Sequence, residues 1–205
     1  GLEEVDRFQQ AFFWPVLKAM QIGVRIDKKE RNLFAMELQE EIEKREEFFS
    51  RILGHPLNPA SPVQMTKLFY TDLGITPIMS RAKKGIPAHV TCDDEALVKI
   101  MKKEPITIPL IRAIQEYRSL GVFLSTFVMA PLDKDDRMRC SYNICGTETY
   151  RLNSSKNAFG SGTNLQNVPM GGEEDGLTLP NVRKLFIPDE GFTFFDMDLD
   201  RADMQ

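Results

Sequence analysis

Residues 137–152 read RMRCSYNICGTETYRL, and the fold class turns on them. They are rich in β-branched, aromatic and small residues, a mixture that favours strands over helix. The sequence before them has the opposite character, with apolar residues recurring at three- and four-residue steps. The chain is therefore expected to be helical to about residue 128 and strand-rich from residue 129 to 205. That order of elements gives an α+β class.

Working upstream, a first helix is expected over 3–20, with Val5, Phe8, Phe12, Val16 and Ala19 on its apolar stripe. A short strand follows in QIGVRID. A long amphipathic helix is expected from Lys28 to Leu53, its stripe made of Ala35, Leu38, Ile42, Phe49 and Ile52 and interrupted by Arg45. Ser61, Pro62 and Gln64 carry the signature of a helix start: an N-cap, a first-turn proline and the third residue of a capping box. Met65, Leu68 and Phe69 form the buried face of that helix. SRAKKGIPAH is a basic loop. Thr91 and Asp94 mark a cap for a helix ending near Lys103, and a further helix runs from Pro109 to about Val128.

Working downstream, NSSKNAFGSGTNLQNVPMGGEEDG (153–176) reads as a loop of turn residues. VRKLFI and FTFFDMDL read as strands on either side of a PDEG turn. No internal repeat is present.

With 42% hydrophobic residues, 14 Phe and 10 Met among 205 residues, the chain can build a core and is not a disordered segment. No membrane-span-length apolar run and no signal peptide occur. The opening GLEEVDRF has no initiating Met, which points to an engineered fragment or an excised segment. Three cysteines without metal-ligand spacing read as reduced thiols, so a cytoplasmic setting is expected. The net charge of −4 alone counts mildly against a nucleic-acid partner. Its distribution is more telling: residues 81–156 hold 13 basic and 9 acidic side chains, whereas 157–205 hold 3 and 9. A basic middle and an acidic end suit a polyanion in one region and cations in the other.

The acidic end is FTFFDMDLDRADMQ (192–205). As a strand it directs Phe192, Phe194, Asp196, Asp198 and Asp200 to one face. Adjacent carboxylates there are costly unless a cation offsets them, and Mg²⁺ takes one or two protein carboxylates plus phosphate oxygens. The same residues, with the strand ending near Asp196, would leave the later carboxylates in water. A calcium-loop reading fails because Arg201 stands where the sharp turn needs Gly. A strand followed by D-x-D also fits a metal-dependent glycosyltransferase, though that pattern is short.

A second cluster joins Arg151 to Asn164, Gln166 and Asn167, donors that suit phosphates, sugars and minor-groove acceptors. Taken in order, TETYRLNSS (147–155), NLQNVP (164–169), VRKLFIPDEG (182–191) and DLDRADMQ (198–205) resemble the A-family DNA polymerases, the bacterial polymerase I group and its phage relatives. GVRID (23–27), LGHPLNPASPVQMTKLFYTDLGI (53–75) and EYRSLGVFLSTFVMAPL (116–132) resemble that family's thumb in order and spacing. The likeness covers nearly the whole chain.

The resemblance implies a helical thumb over 1–128 and the start of the palm over 129–205. It implies that Asp198 bridges two catalytic Mg²⁺ ions, with the Leu199 carbonyl as a further ligand, and that Asp203 gates the incoming sugar. Arg151, Asn164, Gln166 and Asn167, supported by Arg183, would hold the primer–template DNA. Asn58, Ser61, Arg81, Lys83 and Lys84 would form a thumb tip on the duplex backbone. The implied substrates are a dNTP and a primer 3′-hydroxyl. The implied alternative is a DNA-binding subunit or fragment that keeps the fold without catalysis.

Some positions depart from the pattern. Tyr150 stands at a usual Gly, Asn153 at a Ser, and Asp203 at a Glu one methylene longer, which weakens the inference on sugar selection. SLGVFLST lacks the lysines common at that thumb position, which implies a weaker grip on the duplex. Such departures fit a phage or other mobile-element enzyme better than a housekeeping bacterial one. The family's fingers helix and His-Asp-Glu turn do not occur in the sequence, nor does an exonuclease-type acidic cluster before the thumb. The chain alone is therefore expected not to polymerise, the remainder of the enzyme coming from the same or a second chain.

Overall fold

A computed structural model describes residues 2–82, 85, 87–147, 151–174 and 177–197. The elements are α1 (Leu2–Ile22), β1 (Val24–Ile26), α2 (Lys28–Leu53), α3 (Pro62–Thr66), α4 (Asp94–Lys103), α5 (Ile108–Val122), β2 (Arg137–Met138), β3 (Cys140–Asn143), β4 (Asn153–Lys156), β5 (Gly172–Glu174), β6 (Leu177–Leu179) and β7 (Phe186–Ile187). Helices and small antiparallel sheets together make an α+β protein. No helix among the described residues is long and apolar enough to cross a membrane.

By its contacts the chain divides into two units. One comprises residues 1–32, 130–170 and 182–205, the other 33–129 and 171–181. The division is discontinuous, whereas the sequence reading set two consecutive parts meeting near residue 128. The difference begins in β1, whose neighbours in the sheet are the distant strands β2 and β7.

In the helical unit, α2 buries Phe34, Leu38, Ile42 and Phe49. The stripe thus starts at Phe34 rather than Ala35, and Ile52, expected inside, is 53% exposed. Arg45 interrupts it for an electrostatic reason: it pairs with Glu41 at 2.7 Å and with Glu116 of α5 at 2.9 Å. Ser61 caps α3, its Oγ accepting from Gln64 N at 3.4 Å. The Gln64 side chain does not close the expected box on Ser61. It accepts instead from Asn58 N at 2.8 Å, while Ser61 N donates to the Asn58 carbonyl. After α3 the chain widens into a π-helical turn, Lys67–Asp72, that buries Leu68 and Phe69. The cap of α4 is Asp93, one residue before the expected Asp94, with its carboxylate accepting from Ala96 N at 2.8 Å. Helix α5 ends at Val122, and a second π-helical segment carries on to Val128. Phe49, Met65, Phe69, Leu97, Ile100, Ile111 and Ile114 are the fully buried centre of this unit.

The strand-bearing unit is built differently. β1 lies between β2 and β7, antiparallel to both, with Val24 opposite Met138 and Arg25 opposite Arg137 and Ile187. Ile26, Ala130 and Met138 form its small core, against which Leu132, Leu165 and Phe186 pack. β3 and β4 form a separate hairpin, Cys140 opposite Lys156 and Asn143 opposite Asn153. Residues 153–156, expected to be loop, are therefore a strand, because β3 offers them a ladder. In α1, the expected stripe is helical but buries only Val16; Phe8 is 62% exposed and stacks on Phe12 at 5.7 Å.

Two expected strands shrink or are absent. VRKLFI is a 3₁₀ turn over Val182–Leu185 plus the two-residue β7. Over 192–197 the expected strand does not form, and Phe192, Phe194, Phe195 and Met197 are exposed. The PDEG turn closes, Phe192 N donating to the Asp189 carbonyl at 3.0 Å, but the residues after it find no ladder partner among the described residues. Strand propensity without a partner leaves every backbone group to water.

Candidate nucleic-acid interface

The β3–β4 hairpin and the 3₁₀ turn Leu165–Asn167 bring the second sequence cluster together. Arg151 is exposed on the segment entering β4, and its carbonyl accepts from Thr147 Oγ1 at 2.8 Å. Two residues on, the Ser154 hydroxyl donates to Asn164 Oδ1. Asn164 is the N-cap of the 3₁₀ turn, the same oxygen accepting from Gln166 N at 3.1 Å. Gln166 Nε2 in turn donates to the Leu152 carbonyl at 3.1 Å. The Arg151 segment and the Asn164–Asn167 turn are thus stitched by two side-chain contacts, and Leu165 fastens the turn to the core of this unit. Gln166 and Asn167 are exposed, as is Arg183 on its own 3₁₀ turn.

Ser154 and the Leu152 carbonyl were not singled out from the sequence. Ser154, 6% exposed, orients Asn164, and its place in RLNSS was the available signal. A second unforeseen feature adjoins the start of β3. Arg139 pairs with Asp133 at 2.7 Å and Asp135 at 2.6 Å, and Ser161 Oγ donates to Asp133 at 2.5 Å. Hydrogen bonds from Arg139 hold the Asp135 carboxyl down to about 2. Asp133 is lowered too, chiefly by the Ser161 hydroxyl and then by Arg139. Arg137 pairs with Asp189 of the PDEG turn, which lowers Asp189 and raises Arg137. The cations of β2 and its flank are thus engaged within the protein, and Arg139 is raised by the pairing.

Asn58, Ser61 and Arg81 belong to the helical unit. Asn58 is exposed, its Oδ1 accepting from Ala60 N at 2.9 Å, and its carbonyl, its amide and Ser61 together shape the start of α3. Arg81 is exposed next to an isolated antiparallel bridge, Met79 with Val90. Beside the α3 start lies a groove of about 800 Å³, lined among others by Pro59, Pro62, Thr66, His89 and Arg118. Arg118 spans it, donating to the Pro59 carbonyl at 2.9 Å and the Cys92 carbonyl at 3.1 Å. Lys83, Lys84, Asp198, Leu199 and Asp203 lie outside the described residues. Asp196 is exposed. Among the described residues, no group of three or more His, Cys, Asp or Glu is placed to hold a metal ion.

Comparison with known proteins bears on these features. The sequence model of DNA polymerase family A matches residues 28–205. The thermostable DNA polymerase I of Thermus filiformis is 28% identical over 191 residues, covering 89% of this chain and 20% of that protein. DNA polymerase I of Helicobacter pylori strain J99 is 32% identical over 178 residues, covering 83% and 18%. The chain thus spans about a fifth of the length of the curated relatives it matches. In structure, the polymerase domain of Pol1 from M. smegmatis, solved with DNA primer–template and dNTP, superposes with a TM-score of 0.63. It is 20% identical and covers 87% of this chain and 29% of that one, a likeness of fold.

Proposed function

The chain belongs to DNA polymerase family A, and from that premise we propose that it is the thumb and the first part of the palm of a template-dependent DNA polymerase. In this reading residues 1–128 are the thumb and 129–205 open the palm. Family membership also removes the glycosyltransferase reading of Asp196-x-Asp198.

The observation that carries this reading is the stitching of the Arg151 segment to the Asn164–Asn167 turn. A flexible loop pays for ordering when it meets DNA; this one is ordered beforehand. Arg151, Asn164, Gln166 and Asn167, supported by Arg183, grip the primer–template near its growing end. Asn58, Ser61, Arg81, Lys83 and Lys84 contact the duplex backbone, which positions DNA without reading its sequence.

Asp198 and the Leu199 carbonyl would hold Mg²⁺, since carboxylate and carbonyl oxygens are the hard donors this ion takes. A bound pair would activate the primer 3′-hydroxyl and offset charge on the triphosphate. The primer 3′-oxygen, giving up its proton to solvent, bonds to the α-phosphorus of the dNTP as the bond to the leaving pyrophosphate breaks. Asp203 would serve as the sugar gate, disfavouring a 2′-hydroxyl. The fingers helix and second metal-binding aspartate come from the remainder of the polymerase, so the 205 residues alone do not polymerise.

The test is Asp198→Ala in the complete polymerase, read by primer extension and by duplex binding. Incorporation is lost and duplex affinity holds. Retained incorporation would transfer the metal role to Asp196 or Asp200. A parent enzyme that binds primer–template but never extends it would leave only the non-catalytic DNA-binding alternative.

A further inference from the structure

Between β4 and the Asn164 turn the chain makes a loop, NAFGSG (157–162), with Phe159 at its tip. Its side chain is 95% exposed, more than any other large apolar residue among those described. An exposed phenyl forgoes roughly 1.5–3 kcal/mol of burial, which a partner that covers it would recover. The loop itself is tightly made. Asn157 Oδ1 accepts from Phe159 N at 2.8 Å and from Ser161 N at 3.1 Å, and Gly160 N donates to the Asn157 carbonyl. Ser161 is tied to Asp133, and Gly162 N donates to the Pro131 carbonyl at 2.7 Å. The loop backbone is fixed, so the ring is presented from a defined place and only side-chain freedom is lost when it meets a partner.

Charge narrows the choice of partner. From residue 149 to 172 the sequence has no carboxylate but two cations, Arg151 and Lys156, in a chain of net charge −4. Lys156 is exposed at the end of β4, immediately before the loop. The elements on either side of the loop carry the proposed DNA contacts. A single-strand platform uses several aromatics in succession, yet Phe159 is the one aromatic between Tyr150 and Phe186. A lone apolar side chain among amides and a lysine instead matches the wedges that proteins press into the minor groove.

We propose that Phe159 is an apolar wedge on the double-stranded part of the primer–template, its ring against minor-groove sugars and Lys156 on a neighbouring phosphate. This rests on the DNA-binding reading of Arg151 and the Asn164–Asn167 turn, and adds a contact that reading does not contain.

The experiment measures affinities of the complete polymerase for a blunt duplex, a recessed primer–template and a single strand of the same length. Phe159→Ala should weaken both duplex ligands about fivefold or more, the scale of one lost apolar contact, and leave the single strand unchanged. Phe159→Leu should restore most of the loss, because a wedge needs bulk rather than a π-face. Lys156→Gln should lower the salt slope by about one phosphate contact. Unchanged duplex binding by Phe159→Ala would overturn the proposal, as would an equal loss on single strands. Arg151→Ala separates the two levels: if it weakens binding while Phe159→Ala is silent, the wedge alone fails. If both are silent, the DNA-binding reading fails with it. Phe159 is exposed, so equal thermal unfolding midpoints will show that the fold is intact.

Discussion

The helical unit buries Phe49, Met65, Phe69, Leu97, Ile100, Ile111 and Ile114 at its centre, all supplied by helical segments between residues 33 and 129. The strand-bearing unit relies on Ile26, Ala130 and Met138, gathered from places more than a hundred residues apart, and on buried polar ties such as Ser154 to Asn164. The first is held by volume, the second by backbone geometry and specific hydrogen bonds. The same kind of substitution should therefore act differently in the two.

The largest effect is expected from truncating the helical core. Phe69 is fully buried, and Phe69→Ala should cost about 3–5 kcal/mol through lost burial and a cavity. Urea unfolding of the chain reads it, and hydrogen exchange should show the loss across α3–α5. A loss below about 1 kcal/mol would mean that the core collapses around the gap and is not close-packed.

Glycine substitution sharpens the comparison because its sign should differ. Gly162 has φ +69, and an added Cβ would lie 1.7 Å from the Arg139 carbonyl oxygen. Gly162→Ala must displace that backbone and should destabilise by about 1–3 kcal/mol or more, loosening the Asn164 turn. In α5, Gly121 has nothing within 4 Å of where a Cβ would stand. Gly121→Ala should stabilise by about 0.5–1 kcal/mol through helix propensity. Thermal unfolding of both variants checks the pair, and shifts of equal sign would break the distinction.

The same contrast explains what was legible in the sequence. Helix α2 was readable from Lys28 to Leu53 because its period is local and its apolar face repeats. The buried face of α3 and its π-helical extension, Met65, Leu68 and Phe69, was legible for the same reason. The capping detail was not: Asp93 rather than Asp94 caps α4, and both are chemically able to. β4 was hidden in a run of Asn, Ser and Lys, since its strand state comes from β3 across the hairpin. β1 pairs with segments near residues 137 and 187, and no local pattern announces those partners. At the candidate interface, Arg151 and the Asn164–Asn167 turn were legible as donors. Their joining through Ser154 and Leu152 was not, because it depends on tertiary placement of groups that look like ordinary turn chemistry.

The smallest expected effect is acid sensitivity, and it falls on the strand-bearing unit. Asp135 titrates at about 2 when folded, against 3.8 ordinarily, because Arg139 donates hydrogen bonds to its carboxylate. Asp133 is lowered in the same direction. A carboxyl with a depressed folded pKa binds fewer protons folded than unfolded, so its stabilisation is present above the unfolded value near pH 4. It is lost as pH falls from about 4 towards 2. Asp135 is about half exposed, with 49% of its side chain accessible, so solvent screens the pair and the contribution is about 0.2–1 kcal/mol. Asp135→Asn should remove most of this pH dependence between 4 and 2 and leave stability at pH 7 slightly lower. Hydrogen exchange at β3 and β4 should report the change, while α2 and α5 stay level. An equal response in the helical unit would show that this ion network does not act locally, and would break the division between a unit held by volume and one held by specific ties.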